Sequence, residues 1–317
     1  MTVRTTRRPA AARSRIGTAG AVAVAGALLL TGCGDQTEGT AGESGDGKKA
    51  ADTGAPLYDE LPSSIQKAGT IKVGSDIAYA PVEFVDKDGK PAGIDPDLAA
   101  ELSKVLGVDL AFQNGTFDQL ILGMNSGRYD IVMSAVTDTE ERQKGVSEDA
   151  EGGGADFVDY FRAGSALLVA KGNPEKITTL DDLCGKTVAA QRGTANEALV
   201  REQNKKCGKK IDPFFADKDT DSITQLQNSR ADVVVTDYPV AAYNAKTFGG
   251  GERFEVAGEQ IDAAPYGIAV SKKNAKLRDA VQAAMNKIMK DGSYEKVMKK
   301  WDVTNGALDE ATINAGS

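Results

Sequence analysis

The chain contains no histidine. Ser-His-Asp and Cys-His nucleophilic schemes and His-type metal sites all depend on imidazole, so these classes are excluded, and the sequence calls for no metal and no cofactor. Cysteine is scarce, 3 in 317 residues, and the C-x-x-C spacing of a redox centre is missing. Basic residues are outnumbered, 38 against 46, for a formal charge of −8, which disfavours a polyanion such as nucleic acid as partner. No apolar run is long enough to cross a membrane: the best, from Ala19 to Leu30, has about 12 residues where a spanning helix needs about 20. No P-loop, G-x-G-x-x-G or G-x-S-x-G occurs. Two S-x-x-K matches, Ser64 to Lys67 and Ser293 to Lys296, lack the companion motifs of penicillin-interacting enzymes.

The remaining composition, 41% hydrophobic and 26% charged, is that of an ordinary globular protein, and the length predicts two domains. Arg4, Arg7, Arg8, Arg13 and Arg15 precede the apolar run, with no acidic residue before Asp35, which is the order of a secretory signal. The run ends Leu30-Thr31-Gly32-Cys33, which resembles the lipobox of bacterial lipoproteins. The resemblance implies a signal peptide over 1–32, lipidation of Cys33, and a location on the outer face of the cytoplasmic membrane. The Arg7-Arg8 pair leaves the Sec and twin-arginine export routes both open. Removing the leader takes five arginines from 38 basic residues, leaving 33 against 46 acidic ones, or −13. Residues 33–56 are mostly small and polar and read as a flexible tether. In an oxidising compartment, Cys184 and Cys207 are expected to form a disulfide.

After Leu57, short β-rich runs alternate with helical stretches, the pattern of α/β domains. A strand is expected at Ile71 to Val73, a helix from Leu98 to Leu106 capped by Asp95 to Asp97 and ended by Gly107, a helix from Phe117 to Asn125, and a strand from Asp130 to Ser134. An internal echo stands out. Asn125-Ser126-Gly127-Arg128-Tyr129-Asp130-Ile131-Val132, with Thr137-Asp138 beyond it, is answered by Asn228-Ser229-Arg230-Ala231-Asp232-Val233-Val234 and Thr236-Asp237. Two similar α/β lobes would explain it, although Asn-Ser turns before Val-rich strands also recur by chance. Both Thr-Asp pairs then fall at strand ends, where open α/β sheets bind ligands.

Thr137-Asp138-Thr139-Glu140 and Thr194-Ala195-Asn196-Glu197 both satisfy the S/T-x-x-E capping box. Such helix starts attract carboxylates, and Arg142 adds a forked cation beside the first; the same residues also read as ordinary caps and a solvated charge. Asp76 and Asp237 follow strands and are candidates for an ammonium, or plain turn residues. Tyr79 and Phe117 lie near the same ends.

The stretch Val73-Gly74-Ser75-Asp76-Ile77-Ala78-Tyr79-Ala80-Pro81-Val82-Glu83-Phe84, followed by Asp88-Gly89 and Gly93-Ile94-Asp95-Pro96-Asp97-Leu98-Ala99, resembles the opening of polar amino acid binding proteins of ABC importers, family 3 of the extracellular solute-binding proteins. The likeness continues through Phe117-Asp118-Gln119-Leu120, Thr139-Glu140-Glu141-Arg142, Asp181 to Val188, Arg192-Gly193-Thr194 and Asp291 to Lys296. It implies a two-lobed α/β periplasmic-binding-protein fold of type II with a two-stranded hinge: lobe 1 from 57–165 and 265–317, lobe 2 from 166–264. It further implies that Arg142 clamps an α-carboxylate with Thr137, Thr194 and Ala195, and that Asp237 and the carbonyl of Ala135 hold an α-ammonium. Asp76, Tyr79, Phe117 and Gln191 would then face the ligand's side chain. On this reading the chain is no enzyme but a monomeric lipid-anchored receptor that hands an amino acid to an importer's permease. The alternative is an enzyme of the cyclohexadienyl dehydratase type on the same fold, acting on a carboxylate. Val82 stands where the family usually has Phe, and Ser147 to Gly154 lengthens a link, which suggests a wider or differently lidded pocket. Arg192 argues for an acidic ligand side chain and Asp76 against one.

Overall fold

The computed structural model describes residues 51–146 and 153–317. The expectations for the leader 1–32, for Cys33 and most of the tether, and for most of the lengthened link (147–152) fall outside these residues. The end of the expected tether does not hold as flexible chain. Residues 51–56 are docked, with the Asp52 amide donating to the Gly107 carbonyl at 2.8 Å and Ala51 packed against the core.

Helix α1 (Ser63–Ala68) leads into β1 (Thr70–Ser75), and a small antiparallel sheet follows from β2 (Ala78–Tyr79), β3 (Glu83–Val85) and β4 (Pro91–Ala92). Helix α2 (Ile94–Leu106) buries Ile94, Leu98, Leu102, Val105 and Leu106, the 3.6-residue stripe of a core-facing helix, and ends at Gly107 with φ +71°. It starts one turn earlier than the capping residues suggested: Ile94 extends the apolar stripe, and Asp95 is a buried first-turn residue instead of a cap. Then come β5 (Asp109–Asn114), a 3₁₀ turn at Phe117–Gln119, α3 (Leu120–Asn125), β6 (Ile131–Val132), shorter than its Val-rich surroundings suggested, and α4 (Glu140–Lys144). The long β7 (Ala155–Ala170) carries the chain onward to β8 (Thr187–Gln191), α5 (Ala195–Lys206), β9 (Asp212–Ala216), α6 (Asp219–Gln227), β10 (Val233–Asp237) and α7 (Tyr238–Thr247). A second long strand, β11 (Phe254–Ser271), returns to α8 (Ala275–Lys290) and α9 (Ser293–Lys300).

The main sheet runs β5-β1-β6-β11-β7-β10-β8-β9. Its two ends mirror each other. In each, a central strand (β1 or β8) is flanked by two parallel strands, and a long antiparallel strand closes the set. β7 and β11 pair with one another from Ala170↔Phe254 to Ala155↔Ser271, with register irregularities around Ile261 and Tyr266, and they link the two sets. This is the expected two-lobed α/β architecture with a two-stranded connection. Separate cores support the sets: Leu98, Leu102, Ile131, Val281 and Met285 on one side, Leu167, Val188, Val200, Val233 and Val235 on the other.

The sequence echo is structural. Asp130 and Asp232 occupy the same place in β5-α3-β6 and β9-α6-β10, and each makes the same pair of bonds to the strand beside it. The Asp130 amide donates to Lys72 O at 2.9 Å while its carboxylate accepts from Lys72 N at 2.7 Å. Asp232 does likewise with Thr187, both at 2.8 Å. Cys184 and Cys207 form the expected disulfide, with Cα atoms 5.3 Å apart, tying the entry to β8 to the end of α5. After α9 the chain runs back along β7, bridging Val158 with Ile313 and Phe161 with Ala307, and the Gly316 amide donates to the Asp138 carboxylate at 2.7 Å.

Candidate functional site

Between the carboxyl ends of the two strand sets lies a tight cavity of about 10 Å3, room for about one water, so a ligand enters only when the two sides part. Nine of the ten residues the sequence singled out line it: Asp76, Tyr79, Phe117, Ala135 and Thr137 from one side, Gln191, Thr194, Ala195 and Asp237 from the other. Arg142 stands at the edge, outside the lining.

Strand ends explain most of this convergence. Asp76 follows β1, and its amide donates to Ser134 Oγ at 2.9 Å. Its carboxylate accepts from Gln191 Nε2 at 2.6 Å, across the cleft. Burial pushes the Asp76 carboxyl up to about 6, against the pull of the Gln191 hydrogen bond and the Lys218 charge. Asp237, the last residue of β10, is 7% exposed, accepts from Asn196 Nδ2 at 2.8 Å and from the Tyr266 hydroxyl at 2.6 Å, and donates its amide to Tyr79 Oη at 3.1 Å. Burial raises its pKa, while the hydrogen bonds from Tyr266, Asn196 and Tyr79 and the charge of Arg142 oppose the rise. A carboxylate has about four acceptor positions, so two protein donors leave capacity for an ammonium.

Arg142 sits on the short α4, 3% exposed, and its backbone amide is capped by Thr139 Oγ1 at 3.3 Å. The cap is therefore Thr139, two residues later than the expected box, because the chain is still extended at Thr137, where it bridges Tyr266. The guanidinium donates to Thr137 O and, on the opposite side of the cleft, to Gly193 O, both at 2.8 Å, and lies 5.4 Å from the Phe117 ring centroid. Gly193 presents that carbonyl from φ +75°, where a Cβ would come within 2.7 Å of Asp118 Cβ. The second expected box is real: Thr194 Oγ1 accepts from the Glu197 amide at 3.2 Å, and the Glu197 carboxylate reaches back to the Gly193 amide at 2.6 Å. The N-terminus of the 12-residue α5 thus faces the cavity through Ala195. Ala135 lies at φ +47°, a left-handed conformation uncommon for alanine.

The two Thr-Asp pairs are not equivalent: Asp237 faces the cavity, whereas Asp138 takes its bonds from Gln143 Nε2 at 2.8 Å and from Gly316. Arg192 is spent on Phe215 O at 2.9 Å and Asp217 Oδ1 at 3.3 Å and does not line the cavity, which removes the case for an acidic ligand side chain. Two lining residues went unassigned in the sequence. Asn196 orients Asp237 and accepts from Ser165 Oγ at 2.6 Å; it stands within the Thr194 to Glu197 box, where the capping pattern masked it. Glu83 is fully buried on β3, paired with Tyr79 across the hairpin, a register that only the paired strands reveal. Among the described residues no group of His, Cys, Asp and Glu is arranged to hold a metal ion, and no helix is long and apolar enough to cross a membrane.

Residues 71–304 match the bacterial extracellular solute-binding proteins, family 3. The chain belongs to this family. It is 32% identical over 259 residues to the arginine-binding protein ArgT of Corynebacterium glutamicum, covering 80% of this chain and 81% of that protein. Among solved structures, an ancestral arginine-binding protein bound to arginine superposes with a TM-score of 0.67 at 37% identity, over 74% of this chain and 98% of the other. An ancestral amino acid-binding protein, a precursor of cyclohexadienyl dehydratase, superposes with a TM-score of 0.66 at 36% identity, over 75% and 97%. The family is extracellular, and solute binding, amino acid transport and ABC transporters are its common ground.

Proposed function

We propose that this family member captures a cationic amino acid, arginine being the best fit, between two closing lobes and delivers it to an ABC importer, and that lipid on Cys33 holds it, as a monomer, at the outer face of the cytoplasmic membrane. The observation that carries the ligand class is the charge around the cavity: Asp76, Glu83 and Asp237 line it, and among the described residues no lysine or arginine does, Arg142 standing at its edge and the Lys218 charge reaching Asp76. Arg142, with Thr137 and the α5 N-terminus at Thr194 and Ala195, takes the α-carboxylate; Asp237, with the Ala135 carbonyl, takes the α-ammonium. That match uses one charge of each sign. The acidic excess at Asp76, which lines the cavity with Tyr79 and Phe117 and accepts from Gln191, then favours a guanidinium or ammonium side chain and repels a carboxylate. Arginine-binding relatives agree with this choice.

Closure follows from contacts on both sides. Arg142 to Gly193, Asp76 to Gln191 and Tyr79 to Thr236 (3.1 Å) bridge the cleft, and a ligand touching both faces adds the differential affinity that shifts the protein toward the closed shape a permease recognises. A thermal-shift and calorimetric panel of arginine, lysine, glutamine and glutamate tests the reading. Arginine and lysine at about 100 times their dissociation constants raise stability by about 2.7 kcal/mol; a shift with glutamate and none with arginine or lysine would reverse the charge assignment.

A second reading rests on Asp76, whose raised carboxyl suits a general acid in a dehydratase. Incubation with prephenate or arogenate decides: the binding-protein reading expects no decarboxylated product.

A further inference from the structure

Behind the cavity wall sits a pair of acids with no basic partner. Glu83 and Asp95 are both fully buried, and among the described residues no lysine or arginine forms an ion pair with either. Asp95, in the first turn of α2, is well supplied as an anion: the Tyr160 hydroxyl donates to one oxygen at 2.7 Å, and the Ala135 amide approaches the other at 3.4 Å. Glu83 is not. Ser134 Oγ donates to its Oε1 at 2.8 Å, but among the described residues no N–H or hydroxyl donates to Oε2, which is buried. Glu83 also lines the cavity. An orphaned carboxylate oxygen in such a place is destabilising unless a proton neutralises it or a ligand donor reaches it.

We propose that Glu83 is a further specificity-determining residue: it carries a proton donated toward Asp95 in the unliganded protein, and it releases that proton to solvent when the cationic end of an amino acid side chain arrives. This rests on the cationic-ligand reading above and deepens it. The exchange balances in charge. One proton leaves for the buffer and one ligand cation takes its place: the pair goes from one net negative charge to two, and the pair together with the ligand cation stays at one. A neutral side chain cannot drive the exchange, so discrimination would come from the proton equilibrium as well as from contacts. The direction of titration agrees, since burial and the neighbouring Asp95 hold the Glu83 carboxyl well above its ordinary range, and burial brings Asp95 up to about 7. Other groups facing the pair are Asp76, joined to Glu83 through Ser134, and Tyr160. Tyr266, whose ring lies 6.4 Å from that of Tyr160, donates to Asp237, which stands across the cavity and feels the Asp219 charge.

Isothermal titration of the full chain with arginine, repeated at pH 6.5 in phosphate and in an amine buffer of large ionisation enthalpy, counts the protons. The expected result is release approaching one proton per arginine, with arginine affinity rising up to about tenfold per pH unit until the pair has titrated. Glu83→Gln should bind arginine more weakly, with release cut to the fraction of a proton that Asp76 supplies and a correspondingly shallower pH profile. Asp95→Asn, which removes the acceptor of the shared proton, should shrink the release and serves as the second probe should Glu83→Gln not fold. Equal heats in the two buffers for the wild-type chain overturn the proposal, as does undiminished release in Glu83→Gln, which would move the proton to Asp76 or Asp237. If arginine and lysine produce no heat and no thermal shift at all, the cationic-ligand reading itself fails and takes this inference with it.

Discussion

At the scale of residues, the cleft depends on a few charges whose partners lie on the other side of it. Arg142 is nearly fully buried and spans from Thr137 to Gly193. Replacing it with alanine removes a desolvated charge partner, a loss of about 3–5 kcal/mol, so arginine affinity should fall at least a hundredfold while the circular dichroism spectrum stays native. Lysine at the same position should not rescue binding, because a point charge cannot reproduce the fork. Unchanged calorimetric affinity in Arg142→Ala would refute the site. A different residue-scale test concerns the fold. Asp130→Ala and Asp232→Ala should each cost about 1–3 kcal/mol in denaturant unfolding, since each leaves a strand amide without its carboxylate acceptor. Similar losses at the two positions would show that the duplicated turn does the same job in both lobes.

Among the elements, α5 links stability to binding. Thr194 caps it and, through its hydroxyl, also donates to Gln191 O at 2.6 Å. Thr194→Ala should lower stability by about 1 kcal/mol and weaken arginine binding besides, whereas a cap with no part in the site would change only the melting temperature. At the far end of the same helix, Cys207→Ser opens the disulfide loop and should cost about 3 kcal/mol without moving the cavity. The cap and the disulfide were legible in the sequence because each is a local rule applied to a few neighbouring residues. Seven of the nine cavity-lining residues stood at strand ends or helix starts that local rules could find; Ala135 and Gln191 came only from the family resemblance. What escaped depended on distant partners. Glu83 is assigned by a hairpin register with Tyr79 and by an acid on α2, and the displaced α4 cap is set by an extended segment that pairs with Tyr266. Asp138 looked like Asp237 because both follow threonine, yet its partner is Gly316, nearly 180 positions away.

For the whole molecule, buried acids set the pH response. Asp76 is held at about 6, and Asp95, Asp159 and Asp219 at about 7, in each case chiefly through burial. The folded chain therefore keeps protons that an unfolded chain gives up near pH 4, so it binds more protons over the interval between. Stability should rise as pH falls from about 8 to 5 and level off near 4, where the unfolded chain protonates too. Differential scanning calorimetry of ligand-free protein across that range checks the sign; a melting temperature that falls steadily below pH 7 would contradict it. The cross-cleft bonds of Asp76, Tyr79 and Arg142 have a consequence of another kind. They use only the chain's own groups, so part of the grip on the shut shape does not depend on cargo. Under the proposed importer role, a receptor with its own clasp would offer the permease an empty decoy, which mutations loosening the clasp would quiet.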